Sequence, residues 1–318
     1  MTWAQHLAGR VVIASVSGGK DSSALSMWLT DQGIEHRRVF ADTGWEHALT
    51  YHFALTRVQA LEAIRRAYPE WREAAIVAFL DAQDAKLGEA PLQRVLGPID
   101  VARGPDTFES LVTQKTIFPS RRKFRFCSEL LKFEPIKAYF ATLPDDQDYV
   151  SAVGIRRDES ANRANALEWE WFKDLDYEVW RPLVDWTVAD VLAIHRRHNA
   201  PMNPLYSMGA SRVGCWPCIN ANKREIALIS RIDPPRINRV RALEAVAQQQ
   251  QQERTDFDDE RSAPTMFTLR PDGKKHIRAG VDDVVAWATN GQPEAPDPTM
   301  FDDGCMRWGM CEPPESTS

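Results

Sequence analysis

Two groups of residues in this chain have the types and spacing for chemistry. The first is Ser17-Gly18-Gly19-Lys20-Asp21-Ser22. It closes the apolar, β-branched run Val11-Val12-Ile13-Ala14-Ser15-Val16 and opens the helical pattern Ala24-Leu25-Ser26-Met27-Trp28-Leu29. A strand, a tight glycine turn and a helix start point backbone N–H groups at a phosphate. Glycines permit close approach and positive φ, and a helix N-terminus offers unpaired donors and partial positive charge. Ser17, Ser22 and Ser23 add hydroxyls and Lys20 adds a cation. The second group is the five cysteines, Cys127, Cys215, Cys218, Cys305 and Cys311, with a C-x-x-C pair at Cys215-Trp216-Pro217-Cys218. An odd count built around C-x-x-C points to a metal site or redox chemistry.

The glycines of the loop are adjacent, which fits neither G-x-x-x-x-G-K-[ST] nor G-x-G-x-x-G. The loop resembles the pyrophosphate loop (PP-loop) of N-type ATP pyrophosphatases and sulfonucleotide reductases. The plain alternative is an ordinary strand-to-helix turn.

These groups sit in a chain of 318 residues with net charge −6, 43% hydrophobic and 26% charged residues. That is the composition of a globular protein of one large or two modest domains. The charge argues against wholesale non-specific nucleic-acid binding but permits a local basic groove. No apolar run approaches the ~18 residues that span a bilayer. Met1-Thr2-Trp3-Ala4-Gln5-His6 lacks the features of a signal peptide. A cytoplasmic location without membrane association is expected, and the cysteines are then not structural disulfides.

The elements that must position the chemistry alternate. Strands are expected over 11–15, 37–41, 74–79, 149–154 and 178–184. Helices are expected over 22–32, 48–68, 129–140, 187–198, 222–233 and 235–252. Such alternation implies an α/β fold with a doubly wound, mostly parallel sheet, whose ligands sit at the carboxyl ends of the strands. Both the loop and Asp42 fall at such ends. Residues 1–220 form the expected nucleotide-binding domain, with an insertion over about 81–118 whose weakest part, 81–105, reads as a lid. Residues 221–318 form a helical, cysteine-containing C-terminal extension. Thr187 is the expected N-cap of its helix, with Asp190 at N3. Trp169, Trp171, Trp180 and Trp186 read as core.

Further motifs follow in order: Asp42-Thr43-Gly44-Trp45-Glu46; Arg125-Phe126-Cys127 with Lys132 and Pro135; Gly154-Ile155-Arg156-Arg157-Asp158-Glu159-Ser160; Arg181-Pro182-Leu183-Val184-Asp185-Trp186-Thr187; Asn203-Pro204-Leu205-Tyr206; and Gly214-Cys215-Trp216-Pro217-Cys218. Together with the loop they resemble the phosphoadenosine phosphosulfate (PAPS) reductase family in its broad sense, over about residues 11–222. That family includes sulfonucleotide reductases and ATP-cleaving enzymes that put sulfur into nucleic acids, such as DndC-type proteins. The resemblance implies an adenine nucleotide alpha hydrolase-like fold. Asp21-Ser22 resembles the ATP-cleaving branch. The terminal Cys305-Met306-Arg307-Trp308-Gly309-Met310-Cys311-Glu312 departs from the Glu-Cys-Gly-x-His motif of the reductases. Cys127-Ser128 stands where cluster-bearing reductases carry a tandem cysteine pair.

Residue by residue, ATP cleavage between its α and β phosphates assigns the leaving pyrophosphate to Ser17, Gly18, Gly19, Lys20 and Ser22. Asp21 would hold Mg²⁺. Asp42 would serve the metal or the ribose, or simply cap the next helix. Arg156 and Arg157, after Gly154, suit phosphate or sulfate oxygens. Cys127, Cys215, Cys218 and one of Cys305 and Cys311 make a four-thiolate site for [4Fe–4S] or Zn²⁺. Spacing does not choose between them; the resemblance favours [4Fe–4S]. Cys311 is assigned as the fourth ligand and Cys305 as a mobile thiol, and the tail leaves the reverse open. A thioredoxin-like redox pair and buried inert cysteines are the other readings of the set. The basic segment 120–125, with Phe118, Phe124 and Phe126, suits single-stranded nucleic acid or is a solvated loop.

The function expected from these residues is adenylation of an acceptor with pyrophosphate release, followed by sulfur transfer. The partners expected are an adenine nucleotide, a nucleic-acid acceptor and a sulfur donor such as a cysteine desulfurase. Reduction of PAPS or adenosine phosphosulfate (APS) to sulfite is the alternative, and a non-catalytic nucleotide-binding subunit is a third.

Overall fold

The computed structural model describes residues 3–120, 124–159, 163–173, 177–254, 264–269 and 277–290. Helix α1 (Trp3–His6) leads into β1 (Arg10–Ser15) and α2 (Lys20–Asp31). Next come β2 (His36–Ala41), α3 (Ala48–Ala54), α4 (Arg57–Ala67), α5 (Glu73–Leu87), α6 (Gln93–Leu96), β3 (Asp100–Ala102) and α7 (Phe108–Lys115). Then follow α8 (Phe126–Ser128), a π-helical turn (Glu129–Phe133), α9 (Glu134–Phe140), β4 (Asp148–Ala152), β5 (Trp169–Phe172) and β6 (Tyr177–Trp180). The chain continues through α10 (Val188–Arg197), α11 (Pro204–Ser207), α12 (Lys223–Ile232), α13 (Pro234–Arg254), β7 (Phe267–Leu269), β8 (Ile277–Ala279) and α14 (Val281–Thr289).

The main sheet has six strands in the order β3-β2-β1-β4-β6-β5. All neighbours are parallel except β5, which runs antiparallel to β6 at one edge. The order reverses beside β1, so the loop after β1 stands at the switch point where open α/β sheets bind ligands. Val12, Ala14 and Val150 pack into one core with the buried face of α2, and Ile13 and Val39 into another on the opposite side. A parallel sheet covered on both faces accounts for the continuous apolar run of β1. The expected doubly wound α/β fold is therefore observed.

Several local expectations change. Residues 74–79 are not a strand but part of α5, whose alanines at 74, 75, 78, 82 and 85 favour helix. A six-residue apolar run is ambiguous by periodicity alone. The third strand is instead β3, inside the region read as an insertion or lid, where it pairs with β2. The helix expected over 48–68 breaks at Leu55, because Thr56 starts α4 with a capping box to Gln59. The expected capping box of Thr187 and Asp190 is present. Trp180 is buried and stacks on Trp169, with ring centroids 4.9 Å apart. Trp171, two residues further along the edge strand β5, is 59% exposed, so it is not core.

The C-terminal helices share a second core with the cysteine segment: Trp45, Trp216, Ile226, Ile229, Val240 and Val284 pack in one cluster. No described helix is long and apolar enough to cross a membrane.

Candidate functional site

The loop between β1 and α2 is built to hold its backbone open. Gly18 has φ +73, a left-handed conformation that favours glycine, and a Cβ there would stand 3.1 Å from Thr50 Cγ2. Gly19 caps α2 with extended backbone and no side-chain cap bond. Serines brace the turn from inside. Ser17 N–H donates to Ser22 Oγ at 3.1 Å, and the Ser22 and Ser23 hydroxyls both donate to the Gly19 carbonyl at 3.0 Å. Below the loop, Asn203 Nδ2 donates to the Gly18 carbonyl at 3.3 Å. The buried His195 sets its Nε2 2.9 Å from the Lys20 carbonyl, which can only accept.

Asp21 is the centre of charge. Lys20 Nζ donates to its Oδ2 at 2.9 Å and Arg156 Nε to its Oδ1 at 2.6 Å. Arg156 is only 2% exposed and also donates to the Trp186 carbonyl at 3.2 Å. Gly154 makes this approach possible, since a Cβ there would lie 2.6 Å from the Asp21 carbonyl oxygen. Arg157 turns elsewhere. Its Nε donates to the Ala166 carbonyl at 3.0 Å, and its Nη1 meets the Asp185 carboxylate. Of the two expected arginines, the structure joins Arg156 to the loop.

Asp42 lies at the carboxyl end of β2 and is 1% exposed. Its Oδ1 accepts from Gly44 N–H at 3.0 Å and lies 2.9 Å from the Tyr51 hydroxyl. The helix cap is His47, whose Nδ1 accepts from Leu49 N–H at 3.1 Å, so Asp42 caps a turn and not the helix. The Tyr51 hydroxyl also lies 2.6 Å from Glu46 Oε2. One phenolic proton cannot serve two carboxylates. Burial first, then Glu46, pushes the Asp42 pKa up. Asp42 Oδ2 is buried without a hydrogen bond, with Arg103 Nε 3.5 Å away.

The Cys215 segment pairs with the turn after Asp42. Glu46 and Cys215 form an antiparallel bridge, Trp216 N–H donates to the Trp45 carbonyl at 2.8 Å, and Trp45 Nε1 donates to the Pro217 carbonyl at 2.9 Å. Cys215 Sγ lies 3.9 Å from Glu46 Oε1 and 3.8 Å from Thr43 Oγ1. Cys127 arrives on α8, and the π-helical turn behind it carries Lys132. π-Turns interrupt helices at functional positions more often than elsewhere. Negative charge on Cys215 first, and then on Glu46, Cys218 and Cys127, raises the Lys132 pKa, so the ammonium answers the thiols when they ionise. Burial raises the Cys215 and Cys127 thiols, with Lys132 opposing both shifts.

Three of the expected ligands, Cys127, Cys215 and Cys218, are thus electrostatic neighbours around one lysine. Among the described residues, however, no group of three or more His, Cys, Asp or Glu side chains is arranged to hold a metal ion. The donors fit a soft metal or cluster in type, and burial favours the protonated form of the Cys127 and Cys215 thiols, which a bound cation would deprotonate. The three described thiols fall one short of a four-thiolate site. Cys305 and Cys311 lie outside the described residues, as do Ser160 and the basic residues Arg121, Arg122 and Lys123. The aromatic residues of the basic segment divide: Phe118 and Phe126 are core, and Phe124 is 59% exposed.

Sequence reasoning gave no role to Tyr51, Asn203, His195 or Tyr206. Asn203 and Tyr206 stand in a recognised motif, so their positions were visible without their partners. Tyr51 and His195 are single polar residues inside helices, with no local signal.

Residues 70–221 match the phosphoadenosine phosphosulfate reductase domain. Over 250 residues the chain is 34% identical to an uncharacterized 37.8 kDa protein in the gpa 5' region of Escherichia phage 186, covering 72% of each chain. This chain belongs to the PAPS reductase family. The adenosine 5'-phosphosulfate reductase of Allochromatium vinosum is 35% identical over 95 residues, 30% of this chain and 35% of that one. The chain therefore spans about a third of that reductase. Among solved structures, the PAPS reductase of Candida auris in its phosphate complex aligns with TM-score 0.39 and 15% identity, over 65% of this chain and 82% of that one. The FMN adenylyltransferase of Candida glabrata in complex with ATP aligns with TM-score 0.36 and 14% identity, over 66% of this chain and 53% of that one. The matched family domain contains Cys127, Gly154, Arg156, Tyr206, Cys215 and Cys218. The Ser17–Ser22 loop precedes it, and α12 to α14 follow it.

Proposed function

We propose that this PAPS reductase-family chain is a PP-loop enzyme of sulfur chemistry. It binds ATP with Mg²⁺, adenylates an acceptor with release of pyrophosphate, and supports sulfur transfer to that acceptor. The observation that carries this reading is Asp21, held between Lys20 and Arg156 at the start of α2 inside a complete Ser-Gly-Gly-Lys-Asp-Ser loop.

An acceptor oxygen attacks the α-phosphorus, the bond from Pα to the bridging oxygen breaks, and pyrophosphate leaves with that oxygen. Negative charge grows on the leaving group. The Lys20 ammonium, the Arg156 guanidinium and the N–H groups at the start of α2 can meet it in a partly desolvated site, where such donors act most strongly. Lys20 and Arg156, drawn to phosphate, free the Asp21 carboxylate. Asp21 would then be free to hold Mg²⁺ through its carboxylate, and the ion would supply further charge neutralisation. A sulfur nucleophile afterwards displaces AMP from the adenylated acceptor. Cys127, Cys215 and Cys218 would hold a [4Fe–4S] cluster or Zn²⁺ on the Glu46 side, where it would present sulfur or fix the segment. A cysteine desulfurase is the class of protein that would supply the sulfur.

The acceptor class in this reading is a nucleic acid. Supporting it, Arg163 feels the charge of Asp21 and the like charges of Arg212 and Arg125, and Phe124 offers an exposed ring. A second reading, reduction of APS or PAPS to sulfite, is favoured by the resemblance of 95 residues to APS reductases. Pyrophosphate release from ATP by anaerobically purified protein tests the first reading. Sulfite release from APS or PAPS with a thiol, and no pyrophosphate from ATP, establishes the second.

A further inference from the structure

The loop and the cysteine segment meet at one side chain. Lys20 N–H donates to the Tyr206 hydroxyl at 3.1 Å, from a residue 186 positions away in the chain. The same hydroxyl is hydrogen-bonded to the backbone of Val213. Gly19 lies against both partners: a Cβ there would stand 3.5 Å from the Tyr206 hydroxyl and 3.5 Å from the Val213 carbonyl oxygen. Tyr206 is buried, and the Lys20 ammonium sits over its ring, 5.5 Å from the centroid. Val213 directly precedes Gly214-Cys215, and Cys215 bridges to Glu46.

One phenolic oxygen therefore touches the backbone of two segments that the proposed chemistry uses in succession. A buried hydroxyl is retained only where its bonds are made. Lys20 N–H stands at the first position of α2, among the donors that a bound phosphate attracts. It has one proton, so turning it toward phosphate withdraws it from Tyr206. The hydroxyl must then re-pair inside the protein, and Val213 is already in contact.

We propose that Tyr206 is a positioning residue that couples phosphate occupancy of the Ser17–Ser22 loop to the placement of residues 213–218, which carry Cys215 and Cys218. This inference rests on nucleotide binding at the loop. A rigid turn supports it, since Asn203 caps α11 through Leu205 N–H at 3.0 Å and holds the Gly18 carbonyl from the same turn. Tyr206 is thereby fixed relative to the loop and transmits movement of the Lys20 amide.

The test is hydrogen–deuterium exchange on the full chain, with and without the α,β-methylene analogue of ATP plus Mg²⁺, read on peptides covering 14–24 and 211–218. The wild type is expected to slow several-fold in both peptides. Tyr206→Phe keeps the buried ring and loses only the hydroxyl. It is expected to keep the slowing over 14–24 and to lose it over 211–218. Persistence of the response over 211–218 in Tyr206→Phe overturns the coupling, as does its absence in the wild type while 14–24 is protected. No protection of 14–24 in the wild type defeats nucleotide binding itself, and the coupling with it.

Discussion

Gly154 lies so close to Asp21 that a Cβ on it would sit 2.6 Å from the Asp21 carbonyl oxygen and 2.8 Å from its carbonyl carbon. Both neighbours are backbone at the start of α2, so neither moves without moving the loop. Gly154→Ala should therefore cost about 1–3 kcal/mol of stability, the range for overpacking. It should also weaken nucleotide binding, because the displaced backbone is the phosphate cradle. Thermal melting and titration with the ATP analogue measure both. Unchanged binding in a folded variant would show that the loop tolerates the shift.

Arg156 and Arg157 are neighbours in sequence with separate duties. Arg156→Met should lower turnover by about 10²–10³-fold, the scale for losing one donor to developing charge. It should also destabilise, since Asp21 would lose a buried partner. Arg157→Met removes contacts to Ala166 and Asp185 instead. Its effect on turnover should be smaller by an order of magnitude or more. Comparing kcat for the two variants settles the difference, and equal losses would mean that Arg157 also reaches the nucleotide.

His36 links β2 to α2 in a fixed tautomer. Its Nδ1 lies 2.8 Å from the Ile34 carbonyl, to which it donates, and its Nε2 lies 2.8 Å from Ser26 Oγ. Burial lowers its pKa to about 4 from the ordinary 6.5. Between those values the unfolded chain binds a proton that the folded chain refuses, so stability falls as pH drops from 6.5 toward 4. Denaturant unfolding across that window should show the fall, and His36→Gln should lessen it, leaving the part contributed by His47, whose pKa burial lowers to about 3. An unchanged pH slope in the variant would assign the dependence to other groups.

The cysteines divide into described ligands and tail. Cys127→Ser, Cys215→Ser and Cys218→Ser should each reduce bound iron or zinc to about a tenth or less, since a chelate site loses affinity steeply with each donor. Only one of Cys305→Ser and Cys311→Ser should do so. Metal content of anaerobically purified variants gives the answer. Full metal loading in all three of the first group would remove the cysteine site from the proposal.

Much of this was legible in advance for a physical reason. The apolar run 11–16, the glycine turn and the helix pattern are consecutive, so strand, loop and α2 could be read locally. The Thr187 capping box was equally local. What failed was non-local. Residues 74–79 look like a buried strand until α5 is seen to continue past them, and β3 is only three residues long. The pairing of Arg156 and not Arg157 with Asp21 depends on which side of the strand end each side chain leaves. Tyr206 gains its partners, Lys20 and Val213, only when the chain folds back beneath the loop.

The most direct measurement is exchange of labelled pyrophosphate into ATP by the anaerobically purified full chain, with acceptor nucleic acid present, alongside Asp21→Asn. Exchange in the wild type, reduced at least a hundredfold in Asp21→Asn, is the expected result. No exchange, with sulfite released from APS or PAPS in the presence of a thiol, would contradict ATP cleavage at the Ser17–Ser22 loop.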